Sequence, residues 1–127
     1  MPAGAPRVIV VIPTYNEREN LASVVDRALE VAGVGVIVVD DNSPDGTGEL
    51  ADSLASASPR VSVIHRTAAA RGFGPSYLAG FRSALAAGAD IICQMDADGS
   101  HDPRDLPPLL AALDRADIAQ GSRYIAG

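Results

Sequence analysis

Residues 35–48 read GVIVVDDNSPDGTG. Gly35–Val39 is a continuous β-branched run, which suits a strand buried on both faces better than one with a wet side. It stops on two aspartates, and the Asn, Ser, Pro, Asp and Gly that follow are turn formers. A helical pattern then opens at Thr47. Strand, polar loop and helix in that order make one unit of an α/β sheet, and the same order extends in both directions. Upstream, RVIVVI (Arg7–Ile12) runs into PTYNE (Pro13–Glu17). Downstream, further runs start at Val61 (VSVI), Asp90 (DIICQM) and Asp117 (DIAQ), so that the five starts lie 28, 26, 29 and 27 residues apart.

Helical patterns fill the intervals. Leu21, Val24, Val25, Ala28 and Leu29 follow the i, i+3, i+4, i+7, i+8 rule, with Asn16 or a neighbour expected to cap that helix and Glu17 and Glu19 near its positive end. A second helix is predicted over Thr47–Ala57, ended by Pro59. A third, about Pro75–Ala87, aligns Tyr77, Phe81, Ala84 and Leu85 as a core stripe and stops at Gly88. A fourth starts near Pro103 and includes Leu109, Leu110 and Leu113. The resulting βαβαβαβαβ order predicts a mostly parallel α/β sheet with helices on both faces and right-handed crossovers.

Composition narrows the function. The 127 residues are 47% apolar and 20% charged, which fits one domain with its own core. Residues 1–6 (MPAGAP) carry no pattern and are expected to form a loose arm, leaving 7–127 as the domain. No apolar stretch approaches the roughly 18–20 residues of a membrane span, and no charged-then-apolar leader opens the chain. A single cysteine, Cys93, excludes a disulfide framework and a Cys-rich zinc site. These features fit a cytoplasmic protein. The net charge of −6 argues against nucleic acid as a partner. All ten basic residues are arginine. Without lysine there is no P-loop, no receiver-type phospho-acceptor site and no Schiff-base chemistry.

Ligands of open parallel sheets bind beyond the carboxyl ends of the strands. Six of the twelve aspartates (Asp40, Asp41, Asp45, Asp96, Asp98, Asp102) fall in the loops after the second and fourth strands. Carboxylates gathered at one edge repel one another and need a reason. Asp96-Ala97-Asp98 can offer hard oxygen ligands to Mg²⁺ or Mn²⁺, supplemented by Ser100 and His101, with positions left for phosphate oxygens. Such an ion would neutralise a diphosphate and stabilise it as a leaving group. An acidic turn in which Asp98-Gly99 satisfies its own backbone is the plain alternative. Asp41-x-Ser43-x-Asp45-Gly46 resembles a calcium loop in part, but a strand precedes it, Pro44 stiffens it and its twelfth position is Asp52. Asp40 or Asp41 as acceptor for a base or ribose, with Asp45-Gly46 turning into and capping the next helix, is the better reading. Gly72-Phe73-Gly74 lacks the third glycine of a dinucleotide fingerprint and reads as a loop entering a helix. His65 and His101 have no Ser or Cys in a triad-like context, and Cys93 falls inside a strand.

Taken together, IVVIPTYNERENL, VIVVDDNSPDGTGELAD, RGFGPSYLAGFRSAL, MDADGSHDPRDLP and GSRY resemble glycosyltransferase family 2, and within it the dolichol- or polyprenol-phosphate mannosyltransferases. The motifs run in order from Ile9 to Tyr124. The resemblance implies a GT-A fold, a Rossmann-like nucleotide-binding half with a metal-dependent Asp-x-Asp. It implies transfer of mannose from GDP-mannose to a polyprenyl phosphate, with inversion, at the cytoplasmic membrane face, the protein being peripheral there or held by a membrane-anchoring partner. By motif, Pro13, Tyr15 and Glu17 contact the nucleotide, Val38 and Asp40 hold the nucleoside, and Asp96, Ala97 and Asp98 line the diphosphate. Asp98 is the metal ligand, Asp96 supports metal or sugar, Ser100 stands where the family often has Gln, and Arg123 of GSRY faces the phosphates. Arg71 takes the place of a basic residue before the glycine pair. Family members run to well over two hundred residues, so the resemblance also implies a truncated chain, with the acceptor half absent. Two alternatives stand beside this reading. One is a sister transferase that uses UDP-glucose or UDP-GlcNAc. The other is a nucleotide-binding fragment without activity.

Overall fold

The computed structural model describes residues 7–67, 73–98 and 107. The expected fourth helix and fifth strand, together with Arg71, Ser100, His101, Asp102 and Arg123, lie outside the described residues. Within them the chain runs β1 (Val8–Thr14), α1 (Leu21–Leu29), β2 (Val34–Asp40), α2 (Thr47–Ala57), β3 (Val61–His65), α3 (Phe73–Ala86) and β4 (Ile91–Gln94). All pairings are parallel and the sheet order is β3-β2-β1-β4.

That order follows from where the apolar side chains go. All seven residues of β1 are buried. Val8, Val10 and Ile12, with Val34, Val36 and Val38 of β2, form one layer with Leu21, Val24, Val25 and Ala28 of α1 and Ala51 of α2. Ile9, Val11, Ile37 and Val39 point to the opposite layer, where Ala84 of α3 covers them with Tyr77 and Phe81. Each fully buried branched side chain contributes roughly 1.5–3 kcal/mol. A strand that is apolar on both faces therefore takes the centre of the sheet, with helices above and below.

The strands match the sequence reading, with β1 and β2 running further toward the loops than the apolar runs alone. Thr14 is in register with Asp40, and Asp41 N–H donates to the Thr14 carbonyl at 3.1 Å. β4 is shorter than expected, and the Asp90 carboxylate instead accepts Arg7 N–H at 2.8 Å. Gly88 (φ +84°) ends α3 as predicted, with Ala89 N–H donating to the Ala84 carbonyl at 3.0 Å. Arg60 fastens α1 to the sheet. Its guanidinium donates to the carbonyls of Leu29, Val31 and Val34 at 3.1, 2.9 and 2.8 Å.

Two local expectations are corrected. Leu85 is 64% exposed. Four-residue steps rotate about 40° around a helix, so the Tyr77–Phe81 row has turned away from the sheet by Leu85, while Ser76 and Ala84 face inward. Neither Asn16 nor a neighbouring side chain caps α1. Asn16 has φ +56°, Asn20 occupies the cap position without a side-chain bond, and no acidic residue lies in the first turn. The helix starts late because the N–H groups of residues 16–18 are engaged elsewhere, as described below. Among the described residues no helix is long and apolar enough to cross a membrane.

Candidate functional site

In chain order the sheet grows from β1 to β2 to β3 and then returns to place β4 on the other side of β1. The strand order therefore reverses between β1 and β4, and this is the position where an open parallel sheet leaves a crevice at its carboxyl edge. The loops after β1, β2 and β4, which carry PTYNE, DDNSPDGT and DAD, are brought to that edge.

The first two loops are clasped together. Ser43 Oγ accepts Asn16 N–H at 3.0 Å, Thr47 Oγ1 accepts Glu17 N–H at 3.0 Å, and Asp45 Oδ2 accepts Arg18 N–H at 3.3 Å. Thr47 in turn donates both its hydroxyl and its N–H to Asp45 Oδ1. Alternate residues 43, 45 and 47 thus satisfy three consecutive donors that would otherwise begin helix α1. The Thr47 hydroxyl, foremost, and the N–H groups of Thr47 and Arg18 hold the Asp45 carboxyl below its ordinary range against a smaller opposing effect of burial. Asp45 tethers the head of α2 as expected. The role of Ser43 and Thr47 was missed, although the S-x-D-x-T spacing of short polar acceptors was a visible signal. The clasp leaves Tyr15 at the surface, 40% exposed, with Glu17 half-buried and Pro13 buried.

Asp40 and Asp41 turn apart. Asp40, 3% exposed, accepts the Thr14 and Ser43 hydroxyls on Oδ1 at 3.1 and 2.6 Å and Ser43 N–H on Oδ2 at 3.2 Å. Asp41 reaches the first turn of α3, where Ser76 Oγ donates to Oδ2 at 2.5 Å, and pairs with Arg66 at 3.5 Å. Arg66 also donates to Ser76 Oγ at 3.1 Å. A buried carboxylate is retained only when paired and hydrogen-bonded, and this network meets that condition while linking β2, β3 and α3. The structure does not bring the Val38 side chain to the edge. Val38 has no exposed surface and sits in the core beneath Asp40.

Gly48 shows how closely Asp40 is packed. A Cβ there would lie 2.9 Å from Asp40 Oδ2 and 3.4 Å from the His65 ring. Gly48→Ala gains helix propensity but displaces a carboxylate held by three hydrogen bonds. The expected net result is a loss of about 1 kcal/mol, read as a lower urea midpoint. A higher midpoint would mean that Asp40 yields freely. His65 itself pairs with Asp52 at 2.8 Å on the surface.

Past β4, burial alternates. Met95 and Ala97 enter the core while Asp96 is half-buried and Asp98 exposed. Beyond the end of β4 the two carboxylates thus take the outward positions of the stretch, with Ala97 inward between them. Tyr77 Oη donates to Asp96 Oδ1 at 3.0 Å. Burial, above all, and then the bond and charge of Asp96 and the charge of Asp98 push the Tyr77 phenol up, with a Gln94 hydrogen bond opposing them. Sequence reading placed Tyr77 in the core. Its ring does pack there, but the hydroxyl emerges at the site, a contact that no local pattern announces. Cys93 is half-buried, and burial pushes its thiol up, in keeping with a packing role. A cleft of about 590 Å³ opens beside the clasp between Arg18 and Glu49, and Tyr15, Asp40, Asp96 and Asp98 do not line it.

The chemistry of the donor set fits a hard divalent cation, since Asp96 and Asp98 offer carboxylate oxygens at a solvent-facing edge. Among the described residues no three His, Cys, Asp or Glu side chains are grouped to hold one. The pair would therefore need phosphate oxygens, or residues beyond those described, to complete a shell.

Comparison with known proteins agrees with this fold. The pattern of glycosyl transferase family 2 matches residues 9–127. Over 124 residues the chain is 56% identical to the polyprenol monophosphomannose synthase of Mycolicibacterium smegmatis, covering 95% of this chain and 46% of that protein. It is 50% identical to the undecaprenyl-phosphate mannosyltransferase of Micrococcus luteus, over 95% of this chain and 50% of that one. The chain thus spans about half the length of these curated relatives. A mannosyltransferase from Pyrobaculum calidifontis, solved in complex with GDP-Man and Mn²⁺, aligns with a TM-score of 0.70 at 28% identity, over 91% of this chain and 34% of that one. With its motifs at the switch point of a parallel sheet and the family pattern matched along nearly its whole length, the chain belongs to glycosyl transferase family 2 and has a GT-A-type fold.

Proposed function

We propose that residues 7–127 form the donor-binding part of an inverting transferase that moves mannose from GDP-mannose to a polyprenyl phosphate. The observation that carries this reading is the meeting of the PTYNE loop, the Asp40–Asp41 loop and Asp96–Asp98 around one switch point. It occurs in a chain 56% identical to a polyprenol monophosphomannose synthase.

Pro13, Tyr15 and Glu17 wall the nucleoside, with Asp40 beside them and Val38 supporting Asp40 from the core. Asp96, Ala97 and Asp98 line the diphosphate, and Arg123 offers it a bidentate cationic fork. Asp98, with Asp96 and Ser100, is the set that would hold Mg²⁺ or Mn²⁺, and a bound cation there supplies charge neutralisation of the departing diphosphate. An acceptor phosphate is already ionised at neutral pH, so no dedicated base is required. Its oxygen attacks the anomeric carbon, the bond to the diphosphate oxygen breaks, and GDP leaves with the electron pair. A lipid acceptor places the reaction at a membrane surface. We assign a peripheral contact at the cytoplasmic face, with a membrane-anchoring partner as a second route.

Calorimetric titration of the chain with GDP-mannose, in Mn²⁺ and again in EDTA, tests the reading. The expected result is binding in Mn²⁺ that weakens at least about tenfold, or about 1.4 kcal/mol, in EDTA and in Asp98→Ala. Preference for UDP-glucose or UDP-GlcNAc would overturn the donor assignment. No binding of any nucleotide sugar by the folded chain would overturn the reading altogether.

A further inference from the structure

We propose that Tyr77 is a positioning residue for the diphosphate end of the site, holding the Asp96 carboxylate in the orientation in which it meets the donor. The proposal rests on the donor reading above. Asp96 lies two residues beyond β4, a strand of four residues at the edge of the described sheet. Main-chain pairing therefore constrains this carboxylate less than it constrains Asp40, which ends a seven-residue strand paired on both sides. The missing constraint comes from α3. Tyr77 Oη donates to Asp96 Oδ1 at 3.0 Å, across 19 positions of sequence.

The hydroxyl is itself held in place. The Tyr77 ring packs with Phe81, centroids 6.1 Å apart and planes tilted by 35°, against the layer of Ile9, Val11, Ile37 and Val39. Gln94, the last residue of β4, stands two positions before Asp96. The position of Oη is thus set by how α3 sits on the sheet. Phenylalanine would fill the same apolar space, so packing alone does not call for the hydroxyl. A buried tyrosine usually finds some partner for its O–H, and the experiment must separate that ordinary satisfaction from positioning.

Partners that orient a ligating or substrate-facing carboxylate typically matter by about 10–100-fold in affinity. The free-ion EPR signal of Mn²⁺, titrated with the full chain in the presence of GDP, reads this directly without turnover. Tyr77→Phe is expected to weaken Mn²⁺–GDP binding about tenfold while leaving the thermal midpoint nearly unchanged. Phe81→Leu, which disturbs the packing and keeps the hydroxyl, is expected to lower the midpoint with a smaller loss of binding than Tyr77→Phe. Binding by Tyr77→Phe within twofold of wild type would overturn the proposal and leave the donor reading intact. A tenfold loss that comes with the same fall in midpoint as Phe81→Leu would also overturn it, as a purely structural effect. Absence of Mn²⁺–GDP binding by the wild-type chain would overturn the donor reading and this proposal together.

Discussion

Gly80→Ala lowers the stability of this domain by about 1–3 kcal/mol, and Gly80→Val prevents α3 from docking. A Cβ at position 80 would lie 2.3 Å from Val11 Cγ1 and 3.2 Å from Val39 Cγ2. Both valines are fully buried in the central strands, and a β-branched side chain has few rotamers to escape into. The helix must therefore lift from the sheet. Alanine gains about 1 kcal/mol of helix propensity over glycine, and the lost packing outweighs it. Gly74→Ala is the internal control, because it lies on the same helix and meets nothing within 4 Å. It is expected to change stability by less than about 0.5 kcal/mol. Urea melts followed by circular dichroism compare the two, and equal midpoints would mean that α3 does not pack as described. Tyr77 stands one turn before Gly80, so lifting α3 also withdraws its hydroxyl from Asp96. Mn²⁺–GDP affinity should fall with stability in Gly80→Ala, unlike in Tyr77→Phe.

What the sequence revealed and what it hid divide along the range of the interactions. The four described strands were legible because short apolar, largely β-branched runs are local signals, although only β1 and β2 are buried on both faces while the edge strands β3 and β4 are partly exposed. So was the apolar face of α1, where Leu21, Val24, Val25 and Ala28 are all buried. The helix over Thr47–Ala57 was legible from Asp45-Gly46 before it and Pro59 after it. The start of α1 was not, because its N–H groups bond side chains 27 to 30 positions away. The exposure of Leu85 and the hydroxyl contact of Tyr77 were hidden for the same reason, since the pose of α3 depends on Gly80 meeting Val11. Motif reading brought Tyr15, Glu17, Asp40, Asp96 and Asp98 to one edge of the sheet. It could not distinguish a carboxylate that faces solvent, such as Asp98, from one consumed in holding loops together, such as Asp40.

Thr47→Val is the variant that isolates the clasp. Valine matches threonine in shape, and position 47 has no exposed surface, so the substitution removes only a hydroxyl. That hydroxyl accepts Glu17 N–H at 3.0 Å and donates to Asp45 Oδ1. Without it a part-buried donor loses its partner, at a cost of about 1–3 kcal/mol. The segment after β1 loses one of its three ties, and GDP affinity is expected to fall about tenfold, since ordering of the loop must then accompany binding. Thr47→Ser restores the hydroxyl and should recover most of both losses. A valine variant equal to wild type in both would show that the loops hold each other without Thr47. The pH dependence gives an independent check. Asp45 is held below its ordinary range chiefly by Thr47, so its contribution is present above the unfolded value of about 3.9 and lost as pH falls through the lowered folded value. Removing the hydroxyl brings the folded value back toward the unfolded one. The valine variant should therefore lose less stability than wild type on acidification below about pH 4, because less of its stability there depends on Asp45 being ionised.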